Sequence, residues 1–233
     1  MEIVKSEKIN NAQYNITSAC EIYFIHIKVD EHEQIIREFI NYIQETSWIT
    51  RLAAVPQAAY KVRADRTIQD IKSKIQAKNT DKITSESGEY IVSYAAQEGL
   101  AQVFSHIKVP LAEIIKEKVS GNPGFDFHTE SHSNIIVFGE SKYKSDGTPH
   151  TTAIRQIIDF IRLQKDTSEL SDLCNFVSAL AGTKTAAGDR GYAAAFTVNA
   201  QDKEKAILYP LKDSELMTHF LNKKELYLIG VEV

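Results

Sequence analysis

Cysteine is nearly absent from this 233-residue chain, which has only Cys20 and Cys174, far apart and with no CxxC spacing. A disulfide framework and a structural zinc site are therefore excluded as organising principles. An excess of positive charge is also missing. Lys and Arg total 27 against 31 Asp and Glu, a formal charge of −4. No global basic field draws the chain to DNA or to anionic lipid, so any nucleic-acid contact needs a local patch or a partner. Long apolar runs are lacking: the longest are about five residues, far below the roughly 18 that span a bilayer. The opening Met1-Glu-Ile-Val-Lys-Ser-Glu-Lys8 has no apolar signal-peptide region. These absences predict a soluble, cytoplasmic protein without membrane contact. The single tryptophan, Trp48, reads as core or interface filler. What remains is ordinary globular material, 43% hydrophobic and 25% charged, which excludes disorder and collagen-like order. The length suits one generous domain or a compact domain with an extension.

Hydrophobic periodicity then gives the elements. Residues 21–29 (EIYFIHIKV) are apolar on both pleat faces and predict a buried strand. Asp30 with Glu33 forms a capping-box pattern before a helix striped by Ile36, Phe39, Ile40 and Ile43. From Lys61 to Lys82, seven Lys/Arg stand against three Asp, with Ile68, Ile71 and Ile75 at helical spacing. This is the best basic patch, readable as a solvated helix face or as a DNA contact. Ser85-Glu-Ser-Gly-Glu89 opens a second helix running to Phe104, with Val92, Ala96, Gly99 and Val103 on one stripe and Glu89 at its rim. Residues 106–118 (HIKVPLAEIIKEK) fit either a short helix begun by Pro110 or an interrupted edge strand.

Residues 121–124 (GNPG) predict a turn, and Phe125–His128 with Asn134–Tyr143 predict a hairpin across the polar TESHS. A helix carrying Ile154, Ile157, Ile158 and Ile161 follows, then one carrying Leu170, Leu173, Val177 and Leu180 that ends at a C′ glycine, Gly182. Strands are expected at Tyr192–Val198, Ala206–Tyr209 and Leu226–Val233, with a short helix around Leu216, Met217 and Phe220 before the last. The alternation predicts an α/β fold with a mixed sheet flanked by helices. It divides into a strand–helix extension over 1–84 and a core over 85–233, or forms one continuous domain.

The hairpin carries the chemistry. Residues two apart in a strand share a face, so Asp126 projects with His128, and Glu140 with Lys142. A Glu and a Lys at the end of the apolar run Ile135–Phe138 are costly to bury unless they pair or hold an ion. Asp126 on the facing arm can be brought alongside. Two converging carboxylates with a neighbouring lysine suit a hard, oxygen-loving cation such as Mg²⁺. With the lysine placed to orient or deprotonate water, they form the parts of a phosphodiesterase. The plainer reading is a structural Glu140–Lys142 ion pair with Asp126 capping a turn; Glu-x-Lys alone is a weak signal.

The pattern Asp126…Glu140-Ser-Lys142 resembles the PD-(D/E)XK nuclease signature, with Phe125 at the motif's proline position. That superfamily has a restriction-endonuclease-like core ordered helix–strand–strand–strand–helix–strand, whose first strand has no clear counterpart here. The longer string of Ser87-Gly-Glu89, Gly124-Phe-Asp126-Phe-His128 and Phe138-Gly-Glu140-Ser-Lys142-Tyr143 is similar to HamA, the nuclease subunits of the bacterial Hachiman anti-phage defence system. The resemblance spans roughly Ser85 to Val198. It implies Mg²⁺ dependence with Mn²⁺ as a substitute, a DNA substrate, a bacterial cytoplasmic setting and a helicase partner, HamB, in a heterodimer. It also implies roles: Asp126 and Glu140 ligate the metal with the Ser141 carbonyl as a third ligand, and Lys142 activates or positions water. Glu89 reaches the site through a second metal or bound water, or is only an exposed first-turn carboxylate favoured by the helix dipole. The first 84 residues become the expected partner-binding part. The alternative is a catalytically inactive subunit of the same fold that binds and regulates a helicase.

Other motifs are weaker. A zinc site at Asp126, His128 and His132 lacks a clear further ligand. Gly182-Thr-Lys-Thr lacks the P-loop order. Gly188-Asp-Arg190-Gly191 reads as a turn, with Arg190 as a minor candidate for a phosphate contact.

Overall fold

The computed structural model describes residues 1–76, 85–116 and 124–233. Its centre is four parallel strands rich in aliphatic and aromatic residues: β2 (Glu21–Lys28), β5 (Ile136–Lys142), β6 (Gly191–Thr197) and β7 (Glu225–Glu232). They lie in the order β2-β7-β6-β5. Antiparallel strands extend both edges. β1 (Glu2–Lys8) pairs with β2, while β4 (Phe127–Glu130) pairs with β5 and then with β3 (Ile107–Lys108). The result is one seven-stranded mixed sheet, β1-β2-β7-β6-β5-β4-β3, flanked by helices: an α/β fold. Because β2 is bonded to β7, the sheet runs through both the N-terminal segment and the later core.

Helices bury the stripes that the periodicity marks. α1 (His32–Gln44) buries Ile35, Ile36, Phe39 and Ile43, and α2 (Ala54–Gln76) buries Tyr60, Ile68, Ile71 and Ile75. α3 (Ser85–Phe104) and α5 (His150–Arg162) enclose β5 from opposite faces. On the α5 side, Phe125 lies between Phe138 (5.2 Å) and Phe160 (5.0 Å). On the α3 side, the Ser141 and Ser93 hydroxyls lie 2.8 Å apart. α3 approaches closely because two of its residues are glycines: a Cβ on Gly99 would stand 2.7 Å from Ile27, and one on Gly88 would stand 2.1 Å from the Tyr143 ring. The short helices α4 (Ala112–Ile115), α6 (Lys165–Ser168), α7 (Leu170–Leu173), α8 (Ala179–Ala186), α9 (Lys203–Ile207) and α10 (Ser214–Thr218) complete the layers.

Several local expectations are corrected. Asp30 does not cap α1; Glu31 occupies that position without a side-chain bond, and Asp30 pairs with Lys28 at 2.6 Å. The expected helix over Leu170–Leu180 breaks into α7 and α8, because Ser178 caps α8 by accepting from the Ala181 N–H. Gly182 is consequently inside α8, not at a C′ position, and a Cβ there would meet Cys174 Sγ at 3.2 Å. Ala206–Tyr209 is not a strand: α9, capped by Asp202, and a 3-10 turn occupy it. Residues 107–108 form β3 and 112–115 form α4, so the undecided segment contains both element types. Residues 121–123 of the expected turn, and Lys78 and Lys82 of the basic segment, lie outside the described residues. Trp48 packs edge-on against Tyr60 and Phe176, as filler. Among the described residues no helix is long and apolar enough to cross a membrane.

One buried side chain fastens α3 to the hairpin. Gln97 is fully buried; its Nε2 donates to the carbonyls of Val109 (2.7 Å) and His128 (2.9 Å), and its Oε1 accepts from Tyr42 (2.9 Å). Gln97→Leu keeps the volume and removes three hydrogen bonds, leaving the His128 carbonyl only the Val109 N–H (3.2 Å) and the Val109 carbonyl and Tyr42 hydroxyl only each other (3.4 Å). It should destabilise the fold by about 3 kcal/mol in urea unfolding, whereas a mere space-filling role would predict little change.

Candidate active site

The hairpin delivers Asp126, Glu140 and Lys142 to the carboxyl end of β5. Phe127 faces Gly139 in the register, so Asp126 falls opposite Glu140. The Asp126 N–H donates to the Gly139 carbonyl (2.9 Å), and its side-chain Oδ2 accepts the Ser141 N–H (2.8 Å). Asp126 is thus stitched to β5 by backbone and side chain together. The preceding residue is gripped as well. The Phe125 N–H donates to Glu169 Oε1 (3.1 Å), Lys116 Nζ donates to the Phe125 carbonyl (3.0 Å), and Lys116 and Glu169 pair at 2.6 Å. The second Glu169 oxygen lies 2.8 Å from His128 Nε2. Gly124 leaves room for this clamp, since a Cβ there would meet Glu169 Oε1 at 2.2 Å.

Glu140 is the unusual group. It is 0% exposed, and only its Oε1 has a partner, Lys142 Nζ at 2.7 Å; Oε2 is buried with none. Three other buried carboxylates are completed by the protein. Glu130 takes the N–H and hydroxyl of Ser178, Asp166 takes Tyr192, Arg190 and the Thr167 N–H, and Glu169 takes the clamp. Buried polar atoms are ordinarily satisfied, so an open carboxylate oxygen marks a place where something else belongs. Burial pushes the Glu140 carboxyl well above the usual range, and the Asp126 charge pushes it further. Burial raises Asp126 too, opposed by the Ser141 N–H and by Lys142.

Lys142 Nζ also contacts the Ser141 carbonyl (3.0 Å) and Glu89 Oε1 (3.3 Å). Burial lowers its pKa, but Glu140, Asp126 and Glu89 outweigh this and hold it above the ordinary lysine value. Lys142 is therefore an ammonium here, able to donate and to counter negative charge, not to take a proton. Glu89 is exposed in the first turns of α3 and, among the described residues, touches the site through Lys142.

All four side chains singled out in the sequence meet at this point, with the Ser141 carbonyl. Glu140 and Lys142 do share a strand face, and they form an ion pair as the plainer reading expects. The oxygen-only set of Asp126, Glu140 and the Ser141 carbonyl fits a hard cation that keeps several waters. Among the described residues, no group of three or more His, Cys, Asp or Glu could hold a metal by side chains alone. His128 is turned to Glu169 and His132 is exposed, so the zinc reading gains nothing. Arg190 is committed to Asp166 at 2.5 Å. Sequence reasoning missed Glu169, Lys116, Ser93 and Gln97; their roles come from polar partners that only the packing brings together, which periodicity does not show. No family model, curated protein or solved structure matches this chain.

The raised Glu140 carboxyl has a signed consequence. The folded state favours its protonated form, so that stabilisation is complete below the unfolded value of about 4.3 and is lost as pH rises through neutrality. In metal-free buffer, Glu140→Gln and Asp126→Asn should each melt higher than the parent chain at pH 8. Both should gain less from added Mg²⁺. Variants that melt lower and gain as much from Mg²⁺ as the parent would mark a structural ion pair.

Proposed function

We propose that this chain is a Mg²⁺-dependent deoxyribonuclease, the effector of a two-component anti-phage defence complex in which a helicase partner restrains it. The observation that carries the reading is the open, buried Glu140 Oε2 beside Asp126 and Lys142. The element order α3–β3–α4–β4–β5–α5–α6–α7–α8–β6 supports it, because with the short helices α4 and α6–α8 set aside as insertions it is compatible with helix–strand–strand–strand–helix–strand, with β3 as a candidate first strand. The resemblance to HamA supplies the DNA substrate and the helicase.

Asp126 and Glu140 would hold Mg²⁺, or Mn²⁺ in its place, with the Ser141 carbonyl. Such an ion acidifies bound water and neutralises charge on a scissile phosphate. The protein's own part follows from the geometry. The clamp on Phe125 and the Ser141 N–H fix Asp126, so that little reorganisation is needed when a phosphate arrives. Lys142, as an ammonium, orients water and donates to a phosphoryl oxygen. Glu89 anchors that ammonium from the exposed side and offers a carboxylate to a second ion or its water.

Control must come from elsewhere. With a net charge of −4, the chain neutralises few phosphates and should bind DNA weakly alone. The N-terminal segment offers a partner surface: α1 presents exposed Glu33 and Arg37, with Glu38 half-buried, opposite its buried stripe.

Lys142→Ala should lower DNA cleavage at least about 100-fold while circular dichroism stays native. The assay is Mg²⁺-dependent plasmid degradation by the chain co-purified with its neighbouring helicase. Cleavage should appear on end-bearing or nicked DNA and be absent from intact circles, and charge reversal at Glu33, Arg37 and Glu38 should weaken co-purification. Undiminished cutting by Lys142→Ala removes the assignment at these residues. A monomer that ignores the helicase and cuts intact circles removes the proposed control.

A further inference from the structure

The opposite end of the parallel strands from Lys142 holds a duplicated motif. Glu21-Ile22-Tyr23 opens β2 and Glu225-Leu226-Tyr227 opens β7, in register, with Glu21 beside Glu225 and Tyr23 beside Tyr227. In each copy the tyrosine hydroxyl donates to the glutamate two residues earlier, at 2.6 Å and 3.0 Å. The two rings stack 4.9 Å apart at 12°.

The copies differ in exposure, with the Glu21 side chain 44% exposed and Glu225 buried, and in counter-charge. Glu21 is paired with Lys8, whose Nζ lies 2.5 Å from the carboxylate and 5.8 Å from the centre of the Tyr23 ring. Glu225, 3% exposed, accepts only from Ser131 (3.2 Å) and Tyr227, and forms no ion pair among the described residues. A carboxylate can accept more donors than these two, and a buried one without a counter-charge is costly.

Glu225 and Tyr227 line a cavity of about 440 Å³ together with Glu21, Tyr23, Phe104 and His106. His106 brings no positive charge to it. Burial pushes its pKa down to about 4. Because the Tyr227 hydroxyl donates to Glu225, the His106 ring donates from Nε2 to that hydroxyl (3.0 Å) and accepts at Nδ1 from Thr129 (2.9 Å). Phe104 closes the wall, 4.9 Å from Tyr23 and 5.7 Å from Tyr227. Aromatic faces around a carboxylate recognise organic cations, and in the first copy Lys8 occupies such a place.

We infer that the Glu225–Tyr227 copy is a binding site for a small primary alkylammonium ligand, held at the Glu225 carboxylate and against the Tyr23, Phe104 and Tyr227 rings as Lys8 is held at Glu21. This site is independent of the nuclease reading.

Calorimetric titration of the full chain with n-butylammonium chloride tests it, against sodium chloride at matched ionic strength. One saturable equivalent should bind, with affinity reduced about tenfold or more in Glu225→Gln. Lys8→Ala should free the first copy and raise the stoichiometry to two. If Glu225→Gln fails to fold, proton NMR of the parent chain decides: the ring signals of Tyr23 and Tyr227 must shift on titration while those of exposed Tyr209 do not. The proposal is overturned by heats no greater than those of sodium, by equal affinity in a folded Glu225→Gln, by a single equivalent in Lys8→Ala, or by unmoved Tyr23 and Tyr227 signals.

Discussion

Glu140 carries a carboxylate that solvent does not reach and to which, among the described residues, only Lys142 donates, through one of its two oxygens. Placing such a group at the end of an otherwise apolar strand works against folding, so the surroundings must over-determine it. They do so by two routes. The sheet fixes Glu140 from both sides, through β4 and β6, and α3 and α5 close its faces. Asp126, which adds a second negative charge, is held by the Ser141 N–H and by the Lys116–Glu169 grip on Phe125. Removing any of these would let the carboxylates drift apart and relieve the repulsion.

The location follows from how parallel strands end. β5, β6 and β7 run side by side, and their carboxyl ends open where α3 begins, so an exposed Glu89 and a partly exposed Lys142 form the rim of a buried acidic floor. Polar groups that converge at the carboxyl ends of parallel strands are the usual place for ligands in α/β sheets. The amino ends carry the separate Glu-x-Tyr pair, where Lys8 answers the half-exposed Glu21 and the buried Glu225 has no counter-charge among the described residues.

Much of this was legible in the sequence, and the reasons are specific. β2, β5 and β7 are buried on both faces and read as apolar runs, and α1 and α5 show clean stripes. β1 escaped notice because an edge strand with Glu2, Lys5, Glu7 and Lys8 is mostly exposed and lacks alternation. β3 has two residues, too few for any period. The run Ala206–Tyr209 was ambiguous at its length, and only the Asp202 cap separates helix from strand. Ser178 likewise decided where α7 and α8 part. At the site, the spacing of Asp126, Glu140 and Lys142 with Glu89 was readable because strand periodicity and a hairpin suffice to join them. The clamp was not: Glu169 comes from 44 residues away, and it and Lys116 meet only through packing around Gly124.

The central claim is that the Asp126–Glu140 pair is built to hold a divalent cation. Anomalous diffraction from crystals soaked in Mn²⁺ tests it most directly. A single strong peak within coordination distance of Asp126, Glu140 Oε2 and the Ser141 carbonyl is the predicted result. No peak there, with the Glu140–Lys142 pair unchanged at saturating Mn²⁺, would contradict it.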